Sequence, residues 1–187
     1  MATGVLMLAA GSSRRFGSDK RMARLSTGTT LLQKSLDNAR DSGLPVTVCL
    51  GPEDTKLAGE LRTQGFEVHL CPNALQGMGA TLADGIAHIQ QWDCVLVALA
   101  DMGWLTPETF QTVAEQCDQK SICVPVFEGQ RGHPVGFGRA FFAQLRELHG
   151  DQGAKGIVEA HEGNVCELHL PDPGIIRDAD TPDQLAD

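Results

Sequence analysis

Val5-Leu-Met-Leu-Ala-Ala-Gly-Ser-Ser-Arg-Arg-Phe-Gly-Ser-Asp-Lys20 decides the fold. Residues 5–8 form an apolar run of the length that a buried first strand needs. Ala9, Ala10, Gly11, Ser12 and Ser13 follow without one bulky side chain, and Arg14, Arg15 and Lys20 then bring three cations around Gly17. Small residues let a backbone approach an anion and aim several N–H groups at it. The cations neutralise phosphate charge. A strand ending in such a loop is where open α/β sheets bind ligands. The spacing is not that of a P-loop, because five residues separate Gly11 from Gly17. Nor is it a dinucleotide fingerprint, which needs glycine where Ser13 stands.

Strand and helix patterns alternate from there. Thr29-Thr30 opens a helix with Leu32, Leu36 and Ala39 on one face, and Gly43 stops it. Residues 46–50 and 66–70 read as strands, with a short helix over 53–64 between them. A glycine-bearing loop over 71–81 leads into a helix with Leu82, Ile86 and Ile89 on one stripe. Residues 93–99 form a central buried strand. Thr106-Pro107 starts a helix carrying Phe110, Val113, Ala114 and Cys117. Residues 121–126 are another buried strand. This order predicts a three-layer α/β domain with a mostly parallel sheet. The last third is less regular: a strand remnant at 135–137, helices around 141–148 and 154–161, a strand over 165–170, and a short helix capped by Thr181. These segments extend the same sheet and wall off an acceptor site.

Composition narrows the classes. A chain of 187 residues defaults to one domain, 1–187, and is long enough for a full core. A hydrophobic fraction of 42% with 21% charged residues describes a globular chain. The net charge of −9 argues against a nucleic-acid surface, which is normally basic. It leaves nucleotides open, because a local basic loop and a divalent cation hold a triphosphate on an acidic protein. None of the six cysteines forms a Cys-x-x-Cys pair, so buried free thiols in a reducing compartment are expected. No signal peptide is read and no apolar run approaches the roughly 18 residues of a membrane span. The expectation is a cytoplasmic protein.

Several polar groups interrupt this pattern. Asp101 directly follows a buried strand, where a carboxylate is costly unless it is solvated or binds a cation. Mg²⁺ favours one or two carboxylates plus phosphate oxygens, while a helix-capping role is the plain reading. In the 73–81 loop, Gly77 and Gly79 allow close backbone approach and Thr81 lies near a helix start. Such a loop reads a base edge, or is simply a loop. Gln130-Arg-Gly-His-Pro-Val135 is a constrained turn, in which a lone His133 is usually structural. Gly150-Asp151-Gln-Gly-Ala-Lys155 opens a helix whose N-terminus faces an anion. Arg177-Asp178-Ala-Asp180-Thr-Pro-Asp183 reads by itself as an acidic turn before a capped helix.

Together these motifs resemble one family. The opening stretch is similar to the nucleotidyltransferase signature loop, Leu-Ala-Ala/Gly-Gly-x-x-x-Arg-Met/Phe-Gly followed by Lys. The nearest branch is that of the molybdenum cofactor nucleotidyltransferases, the cytidylyltransferases in particular, and the resemblance runs from Leu8 to Asp183. It implies a Rossmann-like three-layer sheet of the nucleotide-diphospho-sugar transferase type. It makes Arg15 and Lys20 the phosphate-binding cations, with Arg14 at a variable position, and places the nucleotide on Ala9, Ala10, Gly11, Ser12, Ser13 and Arg14. Asp101 matches the metal-binding acid of the family's Asp-Met-Pro, with Gly103 in place of proline. Asp178 or Asp180 matches a second acid in Asp-Ile-Asp-Thr-Pro. Asn73, Gly77, Gly79 and Thr81 fall where the family recognises the base, with Thr81 replacing serine. Arg131 and His133 match an Arg-Gly-His-Pro motif on the acceptor side. Asp151 and Lys155 match Gly-Asp-x-Gly-Ala-Arg, where lysine keeps the charge and loses the planar fork.

The Leu-Ala-Ala-Gly form favours CTP over GTP. The resemblance therefore implies transfer of CMP from CTP to the terminal phosphate of molybdenum-molybdopterin. Mg²⁺ or Mn²⁺ would be the cofactor and a molybdenum hydroxylase the recipient, with no nucleic acid or membrane involved. Residues about 1–105 would bind the nucleotide and about 106–187 the acceptor. Two alternatives stand beside it. One is a related enzyme using GTP with molybdopterin, or CTP with a sugar or polyol phosphate. The other is a non-catalytic cofactor-binding adaptor for a molybdenum hydroxylase, favoured only by Gly103.

Overall fold

The apolar run at 5–8 becomes β1 (Thr3–Leu8), the axis of the sheet. The computed structural model describes residues 1–11 and 19–178. β1 pairs in parallel with β2 (Val46–Leu50) on one side and β4 (Cys94–Leu99) on the other. β3 (Glu67–Leu70) extends the sheet in parallel beyond β2. The remaining strands are β5 (Ile122–Phe127), β6 (Gln130–Arg131), β7 (Val135–Gly138) and β8 (Val165–His169). The order runs β3-β2-β1-β4-β7-β5, with β8 parallel to β5 along its outer edge and β6 closing a hairpin at the end of β5. β7 runs antiparallel between β4 and β5. The mostly parallel α/β sheet is as expected. The seating of a four-residue strand containing two glycines between two longer ones was not legible from its pattern.

Alternation along β1 explains the three layers. Val5 and Met7 join one buried cluster with Leu36 of α1 (Leu31–Asp41), Leu61 of α2 (Thr55–Thr63) and Phe110 and Val113 of α4 (Pro107–Gln116). Leu6 and Leu8 join a second cluster with Leu82 and Ile86 of α3 (Met78–His88), Leu145 of α5 (Phe142–Arg146) and Ile157 of α6 (Lys155–Ala160). A strand covered on both faces reads as a continuous apolar run rather than an alternating one. Thr30 caps α1 as expected, its hydroxyl accepting from Gln33 N–H at 3.2 Å. Five of the six free cysteines are buried and Cys166 is exposed.

α4 is capped from far along the chain. Thr106 stands at its N-cap but makes no side-chain cap bond of its own. The carboxylate of Asp172 braces this N-terminus instead. Its Oδ2 accepts from Thr106 N–H at 3.0 Å, Thr106 Oγ1 at 3.1 Å and Thr109 Oγ1 at 2.5 Å. Its Oδ1 accepts from Gly174 N–H at 2.8 Å. A negative group at a helix N-terminus is favoured by the helix dipole. These contacts hold the segment 172–178 against the loop after β4. A Cβ on Gly174 would lie 2.3 Å from the Trp104 carbonyl oxygen, so only glycine permits that approach.

At the other end of the sheet, His69 is half-buried and stacks on His88, ring centroids 4.4 Å apart. His88 Nε2 lies 2.9 Å from Glu67 Oε1. Burial first, and the neighbouring His88, push His69 below its ordinary 6.5, with Asp84 and Glu67 opposing.

Two outcomes are expected. Asp172→Ala takes the acceptor away from four donors, those of Thr109 and Gly174 on buried residues, and costs about 1–3 kcal/mol, read from urea unfolding, with Asp172→Asn intermediate. For His69, the folded state prefers the neutral ring. Its contribution is therefore complete above about 6.5 and is lost as pH falls below that value. Between pH 8 and 5.5 the wild type loses more thermal stability than His69→Gln does.

Candidate active site

Register places the site. Leu8 sits opposite both Cys49 of β2 and Leu99 of β4. The ladder continues past the strand ends, with Ala9 N–H donating to Cys49 O at 2.9 Å and Ala100 N–H to Leu8 O at 3.1 Å. Gly11 and Asp101 therefore leave neighbouring strands at the same carboxyl edge. Ser12, Ser13, Arg14 and Arg15 lie outside the described residues, and the chain is described again from Asp19.

There the loop is stapled by a residue that sequence reading passed over. Arg21 donates to Ala9 O at 2.9 Å. It also grips Asp54 at 2.6 and 3.0 Å and Asp19 at 2.8 and 2.9 Å. Asp54 is the residue before α2. One guanidinium thus ties the start of the 9–21 loop, its end and a helix N-terminus together. Asp19 first, then Asp54, push Arg21 above the ordinary arginine range against its burial. Arg21 in turn holds Asp19 below the usual carboxylate value. The sequence signal was the Asp19-x-Arg21 spacing, which suits a fork reaching back to its own cap.

Lys20 is carried on the same 3₁₀ turn, Lys20–Met22. Its ammonium lies 2.8 Å from Asp101 Oδ2, with side chains 13% and 31% exposed. The other oxygen, Oδ1, is buried and accepts no hydrogen bond. An acceptor kept in the interior without a donor is costly. It suits a divalent cation, for which one or two carboxylates suffice. Among the described residues no group of three or more His, Cys, Asp or Glu is set to hold a metal. Asp101 is the one described carboxylate with this unfilled valence; Asp180 lies outside the described residues and Asp178 is exposed.

Two polar residues of α1 fix the loop bearing Asp101. Ser35 Oγ donates to Ala100 O at 2.9 Å, and Asn38 Nδ2 donates to Gly103 O and Leu105 O at 3.0 and 2.7 Å. Both are buried. Their i, i+3 placement on the apolar face of α1 was the available signal, since a buried polar side chain needs a partner. At Gly103 the backbone is held by this contact rather than by a proline. His133 lies on the neighbouring turn, its N–H donating to Ile175 O at 3.0 Å. Burial lowers its pKa and the charge of Asp101 opposes, so ring and carboxylate share one field. Arg177 stacks over Trp104 at 3.9 Å, which brings the chain before Asp178 onto the loop after Asp101.

Other sequence candidates are engaged elsewhere. Asn73 is bound to Asp84 through its N–H and its amide, both at 2.8 Å. Thr81 is buried, and its hydroxyl donates to Gly77 O at 3.1 Å. A Cβ on Gly77 would meet Asp151 Oδ1 at 2.4 Å, and one on Gly79 would meet Gln152 O at 2.3 Å. These glycines therefore admit the 149–152 loop, tied by Gly79 N–H donating to Gly150 O at 2.8 Å. The large apolar side chains this region leaves exposed are Leu75 and Met78. Arg131 is exposed and clamped by Glu162 at 2.7 and 3.0 Å and Glu167 at 2.6 Å. Lys155 is exposed, 3.7 Å from Glu159. The structure thus joins Lys20, Asp101 and His133 at one edge and pairs residues 77–79 with 149–152, whereas Arg131 and Lys155 face glutamates. A cleft of about 370 Å³ bordered by Met22, Leu32, Leu57 and Glu60 contains none of these residues.

The family model described as the MobA-like NTP transferase domain matches residues 5–165. The chain belongs to this family. The MobA-like domain spans β1 to the first residue of β8, and with it the loop and Asp101. The purine catabolism protein PucB of Bacillus subtilis is 25% identical over 96% of this chain and 92% of its own length. The crystal structure of Rv0371c from Mycobacterium tuberculosis superposes with a TM-score of 0.83 at 29% identity, covering 97% of this chain and 94% of that one. A manganese complex of Rv0371c also has this fold, with a TM-score of 0.77 at 24% identity over 91% and 89% of the two chains. The molybdopterin-guanine dinucleotide biosynthesis protein A of Archaeoglobus fulgidus shares the fold, with a TM-score of 0.68 at 19% identity over 97% and 94%. The sheet is thus of the nucleotide-diphospho-sugar transferase type, and a MobA-like NTP transferase is a nucleotidyltransferase. No helix among the described residues is long and apolar enough to cross a membrane.

Arg21→Ala should cost about 1.5–3 kcal/mol of stability, the range for hydrogen bonds to charged groups, read by urea unfolding. Arg21→Lys should recover less than half, because a point charge cannot make both forks.

Proposed function

We infer that this MobA-like protein transfers CMP from CTP to the terminal phosphate of molybdenum-molybdopterin. The products are the cytosine dinucleotide cofactor and pyrophosphate. The observation that carries the reading is Asp101, with Lys20 on one oxygen and no partner on the other, beside the edge where the small-residue loop leaves β1. The base and acceptor rest on motif resemblance: Leu8-Ala-Ala-Gly11 for CTP and Arg131-Gly-His-Pro134 for the acceptor.

In this reading, backbone N–H groups at 10–14, with Arg15 and Lys20, hold the triphosphate. Asp101, and Asp178 or Asp180, hold Mg²⁺ or Mn²⁺, which supplies charge neutralisation at the α-phosphate. His133, on the opposing turn, faces the acceptor. An acceptor phosphate oxygen attacks the α-phosphorus in line. A new P–O bond forms there as the bond to the bridging oxygen of pyrophosphate breaks. The chain contributes positioning and fixed charge, so no side-chain nucleophile is required. Asp151 and Lys155 border the acceptor beyond the 77–79 loop, where Gly77, Gly79, Asn73 and Thr81 shape the base pocket from behind. Residues 1–105 carry the nucleotide and 106–187 the acceptor, within one cytoplasmic domain whose product passes to a molybdenum hydroxylase.

The test is purified protein with Mg²⁺, the molybdenum-loaded cofactor, and CTP or GTP, scored for dinucleotide product and pyrophosphate. CTP should turn over faster than GTP. Asp101→Ala should lower turnover at least ~100-fold, the scale for losing one transition-state electrostatic contact, with an unchanged circular dichroism spectrum. Normal turnover by folded Asp101→Ala would sink the metal assignment, and binding of nucleotide without pyrophosphate release would sink the enzymatic one.

A further inference from the structure

The geometry points to a second role for Lys20: it is the counter-cation that holds metal affinity at Asp101 low until a triphosphate arrives, so that metal and nucleotide bind with positive coupling. This rests on the reading of Asp101 as metal ligand given above and concerns the order in which that same site fills.

Lys20 Nζ is 2.8 Å from Asp101 Oδ2, and its side chain is only 13% exposed, so water screens the pair weakly. The carboxylate carries one negative charge, which the ammonium already neutralises. A divalent ion on Oδ1 of the same group would face that ammonium across three atoms, and like charges at such range in a half-buried site oppose each other strongly. A triphosphate reverses the balance. It offers Lys20 other anionic oxygens and gives the metal further ligands. The chemistry of the side chain suits the exchange. Lysine is a point charge on a flexible four-carbon stem, able to leave one oxygen for another, whereas arginine would keep a planar fork on the carboxylate.

The main chain beneath it does not need to move. Arg21, the next residue, is clamped to Ala9, Asp19 and Asp54, so the base of the Lys20 side chain is fixed while its tip exchanges. Oδ1 is buried and accepts no hydrogen bond, so no protein donor competes with a cation for its lone pairs. By linkage, whatever factor the nucleotide adds to metal affinity, the metal adds to nucleotide affinity.

The same contact has an opposite interpretation, in which Lys20 aligns Asp101 for the metal, and the two differ in sign. The experiment is Mn²⁺ titration of the full chain without nucleotide, followed by the electron paramagnetic resonance of free Mn²⁺. Wild type, Lys20→Met, Lys20→Gln, Lys20→Arg and Lys20→Met/Asp101→Asn are compared. Removing the charge by either Lys20→Met or Lys20→Gln should tighten Mn²⁺ binding at least about 5-fold, the lower end of typical couplings. Lys20→Arg should stay near wild type, and the double variant should lose the gain. Unchanged or weaker binding in both neutral variants overturns the proposal, as does a gain that survives loss of Asp101. CTP and GTP binding in EDTA is measured in parallel by equilibrium dialysis. A chain that binds neither defeats the proposed function, whatever the Mn²⁺ titration gives.

Discussion

Three parallel strands ending at one level govern this protein. β1 is hydrogen-bonded on both sides, and Leu8 faces Cys49 and Leu99 at once. That alignment is a matter of register, which burial on both faces enforces, since a one-residue slip would exchange the two core-facing sets. A slip would put Leu6 and Leu8 where Val5 and Met7 now pack, and the reverse, changing the shape of both clusters. Because the register is fixed, the loop after β1 and the acid after β4 emerge about one strand spacing apart, roughly 5 Å. The site is a consequence of where the hydrophobic pattern stops.

Around that edge, charge is arranged in pairs. Arg21 has Asp19 and Asp54, Lys20 has Asp101, and the buried carboxylate of Asp172 has four donors. Apart from Arg21–Asp19 and Gly174–Asp172, which are local, these contacts join residues 33 to 81 positions apart and fix a loop to another element. The α1 helix does the same with neutral groups, through Ser35 and Asn38. Rigid support from packed helices allows a loop to carry chemistry without drifting. Asp101 Oδ1 stands out against this thorough pairing.

Much of this was legible before any coordinate. Apolar runs at 5–8, 46–50 and 93–99 gave the strands, and the loop chemistry gave the edge on which to look for a site. The elements agree with the pattern because strand length and helical periodicity are local properties. What was not legible depends on partners far away in sequence. The placement of β7 depends on which open edge it finds, and nothing in Val135-Gly-Phe-Gly138 names that edge. Asp172 drew no reading in the sequence, because three of its four donors belong to Thr106 and Thr109, over sixty residues distant. Gly77 and Gly79 looked like room for a ligand, and in the structure that room is taken by the 149–152 loop. Glycine announces close approach without saying what approaches. Arg131 carries the same ambiguity, since a lone cation does not reveal that two glutamates are waiting for it.

The insertion of β7 also bears on how the chain is made. β4 is complete at residue 99, but its outer edge stays open until residues 135–138 arrive to cover it. β5, synthesised in between, pairs with β4 only through that later strand. During synthesis the ribosome therefore extrudes about forty residues while a strand of six apolar residues shows unpaired amides and carbonyls to the cell. Such edges recruit other chains. The short glycine-bearing β7 is the strand that covers this edge, and β8 follows on the outer side of β5.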